Sequence, residues 1–559
     1  MDPISLFLEH LSADQARSLH AAPRSQRLSK LAQILVDDEQ TIIQKIATAS
    51  QHEFLETIEN PLTNYSALPI RLLTDELMIP LQIDEKAQTI ELVSNWPPDE
   101  ILCDWIYALT QLSPTWKLCT TPKIVDQLHE MFGIGSASLE NSELMQSEEP
   151  TEEVEDEDAA IIRFVNEVIS QALKDRATDI HFEPQRNNLT LRYRIDGHLV
   201  PVQVPENLHQ FQPAIMARLK VMARLNISER RRPQDGRISF KVDKTNLDIR
   251  ISTLPTLFGE SISLRLLQQQ QQTNSVESLG MNADLIAKIE PILKRPHGII
   301  LVTGPTGSGK STTLNAFMRK IRAPERRIVT VEDPIEYEVS GINQTQINNE
   351  IGLSFAQALR HVLRQDPDVI MVGEIRDTET ASIAIRASLT GHLVFSSLHT
   401  NDAAGALTRL IDMGTEPFLI ASSIQLVIAQ RLVRRLCPAC RQKQTHTATA
   451  TELQQILHAL DVKPPTNDQV IELYQADGCE QCQQSGYQGR IGLFEALKMH
   501  EDLNTLLLAR KSAQTIRQTA IEMGMETLQS CGWQHALTGA TSLSEVMRFA
   551  DDLKKAATR

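Results

Sequence analysis

A chain of 559 residues with 41% hydrophobic and 23% charged residues has the composition of a globular protein and is too long for one hydrophobic core, so about two to four domains are expected. Its formal net charge of −16 has the wrong sign for a protein that works by neutralising nucleic-acid phosphates, and it contains no apolar run long enough to span a bilayer. The start, MDPISLFLEHLSADQ, has no basic n-region and carries acids early, which predicts no secretory signal and a cytoplasmic protein.

In chain order, residues to about Leu144 mix amphipathic helical patterns with a short strand-like segment around Met78 to Ile83, and they carry no chemical motif. Ser147 to Asp158, SEEPTEEVEDED, repels itself and buries nothing, which predicts a solvated linker. Ala159 to Ser170 has apolar residues at helical spacing, and LTLRYRIDGHLV and RISFKVDKTNLDIRIS alternate as strands do, so a mixed α/β domain follows. The glutamine run Gln268 to Gln272 offers nothing to pack and predicts a hinge. Beyond it, GIILVTGPTGSGKSTTLNAFMRKI reads as strand, glycine-rich loop and helix, and Arg327 to Val331, Val369 to Val372 and Leu393 to Ser397 read as buried parallel strands. From about Glu501 the pattern is helical.

The pattern GxxxxGK[ST] is met within Gly304, Pro305, Thr306, Gly307, Ser308, Gly309, Lys310, Ser311 and Thr312. Its glycines free backbone N–H groups to face phosphate, Lys310 reaches the β- and γ-phosphates of ATP, and the Ser311 hydroxyl can ligate Mg2+. Hydrolysis further needs a carboxylate near the metal and a group that orients water. In DPDVIMVGEIRD a buried strand runs into Glu374, the expected metal-side acid. In VTVEDPIEYE another strand ends at Glu332 and Asp333, with Glu336 one short turn later. Glu336 is the first choice for polarising water and Glu332 the second. His392 and His399 flank a third strand-like stretch in GHLVFSSLHTNDA. Cys437, Cys440, Cys479 and Cys482 form two CxxC pairs, which suit either a closed tetrahedral zinc site or a redox dithiol; Cys103, Cys119 and Cys531 stand alone.

Taken together, GPTGSGKST, VEDPIEYE, DPDVIMVGEIRD and GHLVFSSLHTNDA resemble the Walker A, Asp, Walker B and His boxes of the type II/IV secretion ATPases. Upstream, ATDIHFEP, LRYRIDG, ISERRRPQDGRISF and ISTLPTLFGESISLRLL resemble the second N-terminal domain of that family's secretion and pilus-assembly members, so the likeness spans about Ala159 to Glu495. The implied fold is α/β: a RecA-like P-loop NTPase core preceded by a mixed α/β, PAS-like sheet domain, with an N-terminal docking domain and a tetracysteine zinc element.

The expected boundaries are a docking domain over 1–145, an acidic linker over 146–158, the second N-terminal domain over 159–270 and a hinge over 271–279. The ATPase domain follows over 280–436, the cysteine element over 437–490 and a helical region over 491–559. The resemblance implies a homohexameric ATPase, peripheral on the cytoplasmic face of a bacterial inner membrane, that docks through its N-terminal domain and drives pseudopilus assembly through a platform protein. Acidic phospholipid is an admissible partner and nucleic acid is not expected.

By motif position, Lys310, Ser311 and Glu374 take the nucleotide and magnesium roles, Glu332 and Glu336 the Asp-box roles, and His392 and His399 the His-box roles. Arginines completing the site between subunits would come from Arg194, Arg237, Arg250, Arg360 and Arg364. The cysteines match the zinc element of the assembly and secretion members, which sets the direction of work as assembly. The wording of ASLTGHLVFSSLHTNDAAGALTRLIDMGTEPFL favours a type II secretion ATPase over a pilus-extension ATPase. From other classes, a nucleic-acid motor is disfavoured by the charge and by only 4% aromatics, and a nucleotide-binding adaptor that never cycles is the remaining alternative.

Overall fold

A computed structural model describes residues 3–62, 65, 67–84, 86–133, 153–242, 245–268, 275–447, 451–460, 462 and 470–557. The chain divides into two compact units, Met1–Gln268 and Gln269–Arg559.

In the first unit, the helices Ala13–His20, Arg24–Leu35 and Glu39–Ser50 bury Leu19, Leu28, Leu31, Ile42, Ile43 and Ile46 in one cluster. Four strands follow: β1 (Glu53–Phe54), β2 (Met78–Asp84), β3 (Thr89–Ser94) and β4 (Ser113–Leu118), in the order β1-β4-β3-β2. The sequence suggests only β2 of these, because β1 is two residues long and SPTWKL in β4 carries a proline and little alternation.

The expected linker is helical in part. Residues 134–152 lie outside the described residues, but Glu153–Lys174 is one helix, so the last six residues of the acidic block are its opening turns. Acids are favoured at a helix N-terminus, where the dipole is positive, and that preference competes with self-repulsion. The helix packs Phe164, Val165, Val168 and Ile169 onto an antiparallel sheet of β5 (Ala177–Pro184), β6 (Leu189–Ile195), β7 (His198–Pro201), β8 (Gln234–Val242), β9 (Thr245–Thr256) and β10 (Gly259–Gln268). The strand order is β7-β6-β5-β10-β9-β8. Each fully buried aliphatic or aromatic side chain here contributes about 1.5–3 kcal/mol, and Tyr193 adds a hydroxyl donated to the Val168 carbonyl at 2.7 Å.

Of the expected hinge, 271–274 lies outside the described residues. Val276–Leu279 is a short 3-10 helix whose Val276 is buried in the core of the second unit, with Glu277 paired to Lys320 at 2.8 Å.

The second unit is built on a seven-stranded sheet. Its strands are β11 (Gly298–Thr303), β12 (Ile328–Glu332), β13 (Asn343–Gln346), β14 (Val369–Val372), β15 (Leu393–Leu398), β16 (Ile424–Leu436) and β19 (Tyr487–Lys498). The order is β13-β12-β14-β15-β11-β16-β19, parallel except for β19. Strands β11, β12, β14 and β15 are buried along their whole length. They alternate between two cores: Ile299 and Leu301 face one, Ile300 and Val302 the other. This is the pattern of a parallel sheet covered on both faces by helices.

The cysteine element, with β17 (Gln442–Thr447) and β18 (Val470–Gln475), is inserted between β16 and β19. The expected boundary at 490/491 therefore cuts through the last strand of the main sheet. The periodicity hides this because YQGRIG in the first half of β19 is mostly polar or glycine. Helices Glu501–Leu508, Ala513–Glu522, Leu528–Leu537 and Leu543–Ala557 close the chain, and Trp533 and Val546 pack against Leu457 and Leu473 of the insertion.

Candidate functional site

The loop after β11 is shaped by its glycines. Gly304, Gly307 and Gly309 have φ of 152°, 77° and 87°, a region side chains rarely adopt. A Cβ at Gly304 would lie 2.5 Å from both the Gln430 carbonyl oxygen and Ser308 Oγ. Gly309 ends the loop, and helix Lys310–Ile321 begins with its N–H groups facing the loop's concavity. Lys310 Nζ folds back to donate to the carbonyls of Gly304 (2.9 Å) and Pro305 (3.0 Å). Burial lowers the Lys310 pKa and Arg431 lowers it further, while Glu374 and Glu336 oppose the shift. Ser308 Oγ is buried with no hydrogen-bond partner among the described residues. An orphaned hydroxyl, a positive helix end and a lysine occupied only by neutral carbonyls fit a polyphosphate.

Glu374 follows β14, with its side chain 15% exposed. Its Oε2 is 2.8 Å from His399 Nε2, and its Oε1 pairs with Arg376. Burial pushes its carboxyl up, but Arg376 and His399 outweigh that and hold it below the usual carboxylate range. Glu374 is thus an ionised group, as a magnesium-side acid requires.

The two Asp-box acids part company. Glu332 is buried and accepts from Thr330 Oγ1 at 2.7 Å and Gln344 Nε2 at 3.0 Å; burial raises its pKa. It faces β13 at the sheet edge, and β14 and β15 separate its strand from β11. Glu336 is exposed, and its charge acts on Lys310. Of the pair, only Glu336 contributes to the electrostatics of Lys310.

The histidines also separate. His392 lies at the start of β15, its carbonyl accepting from Gly298 and its Nδ1 2.9 Å from the Ala387 carbonyl oxygen. His399 lies beyond the other end, so roughly 23 Å of strand divides them. The expectation that His392 joins the nucleotide site is not met within this chain.

Arg360 pairs with Glu379, and Arg364 Nη2 bonds His361 Nδ1 at 2.9 Å; both are held on the catalytic unit's surface. In the first unit, cross-strand register puts Arg237 opposite Arg250, Arg250 opposite Arg265, Arg265 opposite Asp179 and Asp179 opposite Arg194. The three named arginines therefore belong to one row across one sheet face. The row's fourth member, Arg265, donates to Asp179 at 2.9 Å and escapes sequence reasoning because pairing register is not written in one strand. Like charges directly opposite are unfavourable, and Asp179 within the row offsets part of that repulsion by pairing with Arg265 and Arg194.

The four cysteine sulfurs lie within 4.8 Å of one another. Separations of 3.8 Å (Cys437 to Cys479) and 3.7 Å (Cys440 to Cys482 and Cys479 to Cys482) are far above a disulfide bond. They match the edge of a tetrahedron with metal–sulfur bonds of about 2.3 Å. Amides of Cys479 and Gly486 donate to Cys482 Sγ, each at 3.2 Å, as thiolate sulfur prefers.

A phosphate loop ending a central parallel strand, with a histidine at the same end of the neighbouring strand β15 and an ionised glutamate at that end of β14 beyond it, defines a P-loop ATPase. Residues 154–548 match the type II/IV secretion system protein family, and the chain belongs to that family as a secretion-type ATPase. It is 45% identical over 423 residues to type II secretion system ATPase E of Vibrio cholerae, covering 76% of this chain and 80% of that one. It is likewise 45% identical over 398 residues to type II secretion system protein E of Klebsiella pneumoniae, covering 71% and 77%. Identity is 44% over 407 residues to type IV pilus assembly ATPase PilB of Myxococcus xanthus, covering 72% and 70%.

Proposed function

We propose that this protein hydrolyses ATP to drive pseudopilus assembly and protein secretion in a type II secretion system. It acts as a homohexamer peripheral to the cytoplasmic face of the inner membrane. The observation that carries this reading is the grouping of Lys310, Glu374 and His399 at one end of the parallel sheet, in a chain of this family. No described helix is long and apolar enough to cross a membrane, so attachment falls to partners: an inner-membrane component at the N-terminal docking domain, a platform protein, and acidic lipid.

Lys310 and the loop amides hold the β- and γ-phosphates. Ser311 and Glu374 would hold Mg2+, which supplies positive charge to the phosphate oxygens when bound. Glu336 orients the attacking water, and His399 fixes the carboxylate of Glu374. The arginine row of the first unit completes the site of a neighbouring subunit. Cys437, Cys440, Cys479 and Cys482 would hold zinc as a closed structural centre with no open coordination position.

Pilus extension is the second reading, favoured by the likeness to PilB. The test is deletion in the native host with complementation. Loss of extracellular secretion with surface pili retained, restored by the native chain and not by Lys310→Ala, supports the secretion reading. Loss of pili with secretion intact supports the other.

A further inference from the structure

Five consecutive residues after β15 are each tethered to a different part of the catalytic unit. His399 bonds Glu374 at 2.8 Å. Thr400 donates its amide to Thr303 Oγ1 at 2.9 Å, and Thr303 is the last residue of the strand that enters the phosphate loop. Asn401 accepts from Arg431 Nη2 through its side-chain oxygen at 2.9 Å and its carbonyl at 3.2 Å. Asp402 caps helix Ala403–Asp412, accepting from the Gly405 amide at 2.6 Å. Ala403 donates its amide to buried Glu495 at 3.0 Å.

Arg431 is the tether that comes from the far side. Strands β15 and β16 flank β11, so the Arg431 side chain reaches from β16 to the loop that follows β15, past the end of the strand that carries the phosphate loop. Its Nη1 donates to the Gln430 carbonyl at 3.1 Å. That carbonyl walls the space beside Gly304, and the Gln430 side chain accepts from Thr313 Oγ1 at 2.7 Å in the phosphate-loop helix. Arg431 is 9% exposed, and among the described residues it forms no ion pair. Its hydrogen bonds go to neutral acceptors, burial lowers its pKa, and the charges of Asp402 and Glu495 offset only part of that cost, which an apolar residue would avoid. What the charge offers in return is a field that reaches Lys310 and favours an anion in the loop.

We propose that Arg431 is a positioning residue for ATP hydrolysis: it braces the His399 loop against the wall of the phosphate loop, so that Lys310 and the Glu374–His399 pair keep one geometry. The proposal rests on the ATPase reading above. Arg431 acts through Asn401 and Gln430, and its loss should therefore be felt in turnover more than in ATP affinity.

The test is steady-state kinetics of the assembled full-length protein for Arg431→Gln, His399→Gln and the double variant, with thermal melts of each. Misplacement on this scale lowers kcat by about 100-fold with KM for ATP held within roughly 3-fold. The double variant should be no slower than Arg431→Gln, because both changes break one unit. Arg431→Lys should stay well below native, since one ammonium cannot reproduce a planar fork that serves Asn401 and Gln430 together. Native kcat in folded Arg431→Gln, or losses that multiply in the double variant, would overturn the proposal. If Arg431→Gln fails to fold, Asn401→Ala replaces it with the same expectations against His399→Gln. Turnover that survives Lys310→Ala would instead overturn the underlying ATPase reading, a result the Arg431 series cannot mimic.

Discussion

Glu332 and Glu336 lie four positions apart in one acidic segment, and their surroundings assign them different work. Glu332 satisfies Thr330 and Gln344 in the interior, whereas Glu336 acts on Lys310. Glu336→Gln is expected to keep ATP binding and lower turnover by about 100-fold or more, the usual worth of a group that handles the nucleophile's proton. Nucleotide titration and turnover measured together check this. Burial raises the pKa of Glu332, so the folded chain keeps that proton to higher pH than the unfolded chain. Stability from this group is full below the unfolded pKa and is lost as pH rises through the folded one. Glu332→Gln should therefore melt higher than native at about pH 8, with the gain vanishing toward about pH 4, while turnover stays near native. Motif position names both acids, and both histidines, but cannot say which faces the loop. Arg431 had no distinguishing mark at all in RLVRR: it is buried against Asn401, while Arg434 of the same run pairs with Glu545 at 2.8 Å.

Elements buried on both faces are the ones the sequence announces. Strands β11 and β14 appear as apolar runs flanked by glycine or acid, and β15 as an apolar run closed by two serines; the structure starts and stops them within a residue or so of the expected ranges. Edge strands such as β13, NQTQ, carry no such run because half their surroundings are polar. The cysteine insertion is legible as four ligands, yet its place between two neighbouring strands of one sheet is not, since β16 and β19 pair across a long sequence gap. The insertion packs on the C-terminal helices through Leu457, Leu473, Trp533 and Val546, and zinc on the four cysteines would clamp the two chain segments at its base. Purified protein is expected to contain about one zinc per chain. Cys440→Ser should lose the metal and lower the melting temperature by several degrees; a native protein with less than about half a zinc per chain would contradict the assignment.

At the scale of the molecule, the arginine row and the phosphate loop belong to different compact units. The proposed ring, in which one subunit's row serves the next subunit's loop, would make the active site a product of assembly. Charge argues in the same direction about partners: a net −16 disfavours nucleic acid, so added DNA should leave turnover unchanged. The first 153 residues fall outside the family match. The direct test is ATP turnover per chain against protein concentration, with magnesium and acidic lipid, for the native protein and for Lys310→Ala. A ring-assembled ATPase gives turnover per chain that rises with concentration and is abolished by Lys310→Ala. Turnover independent of concentration, or surviving the loss of Lys310, would contradict it.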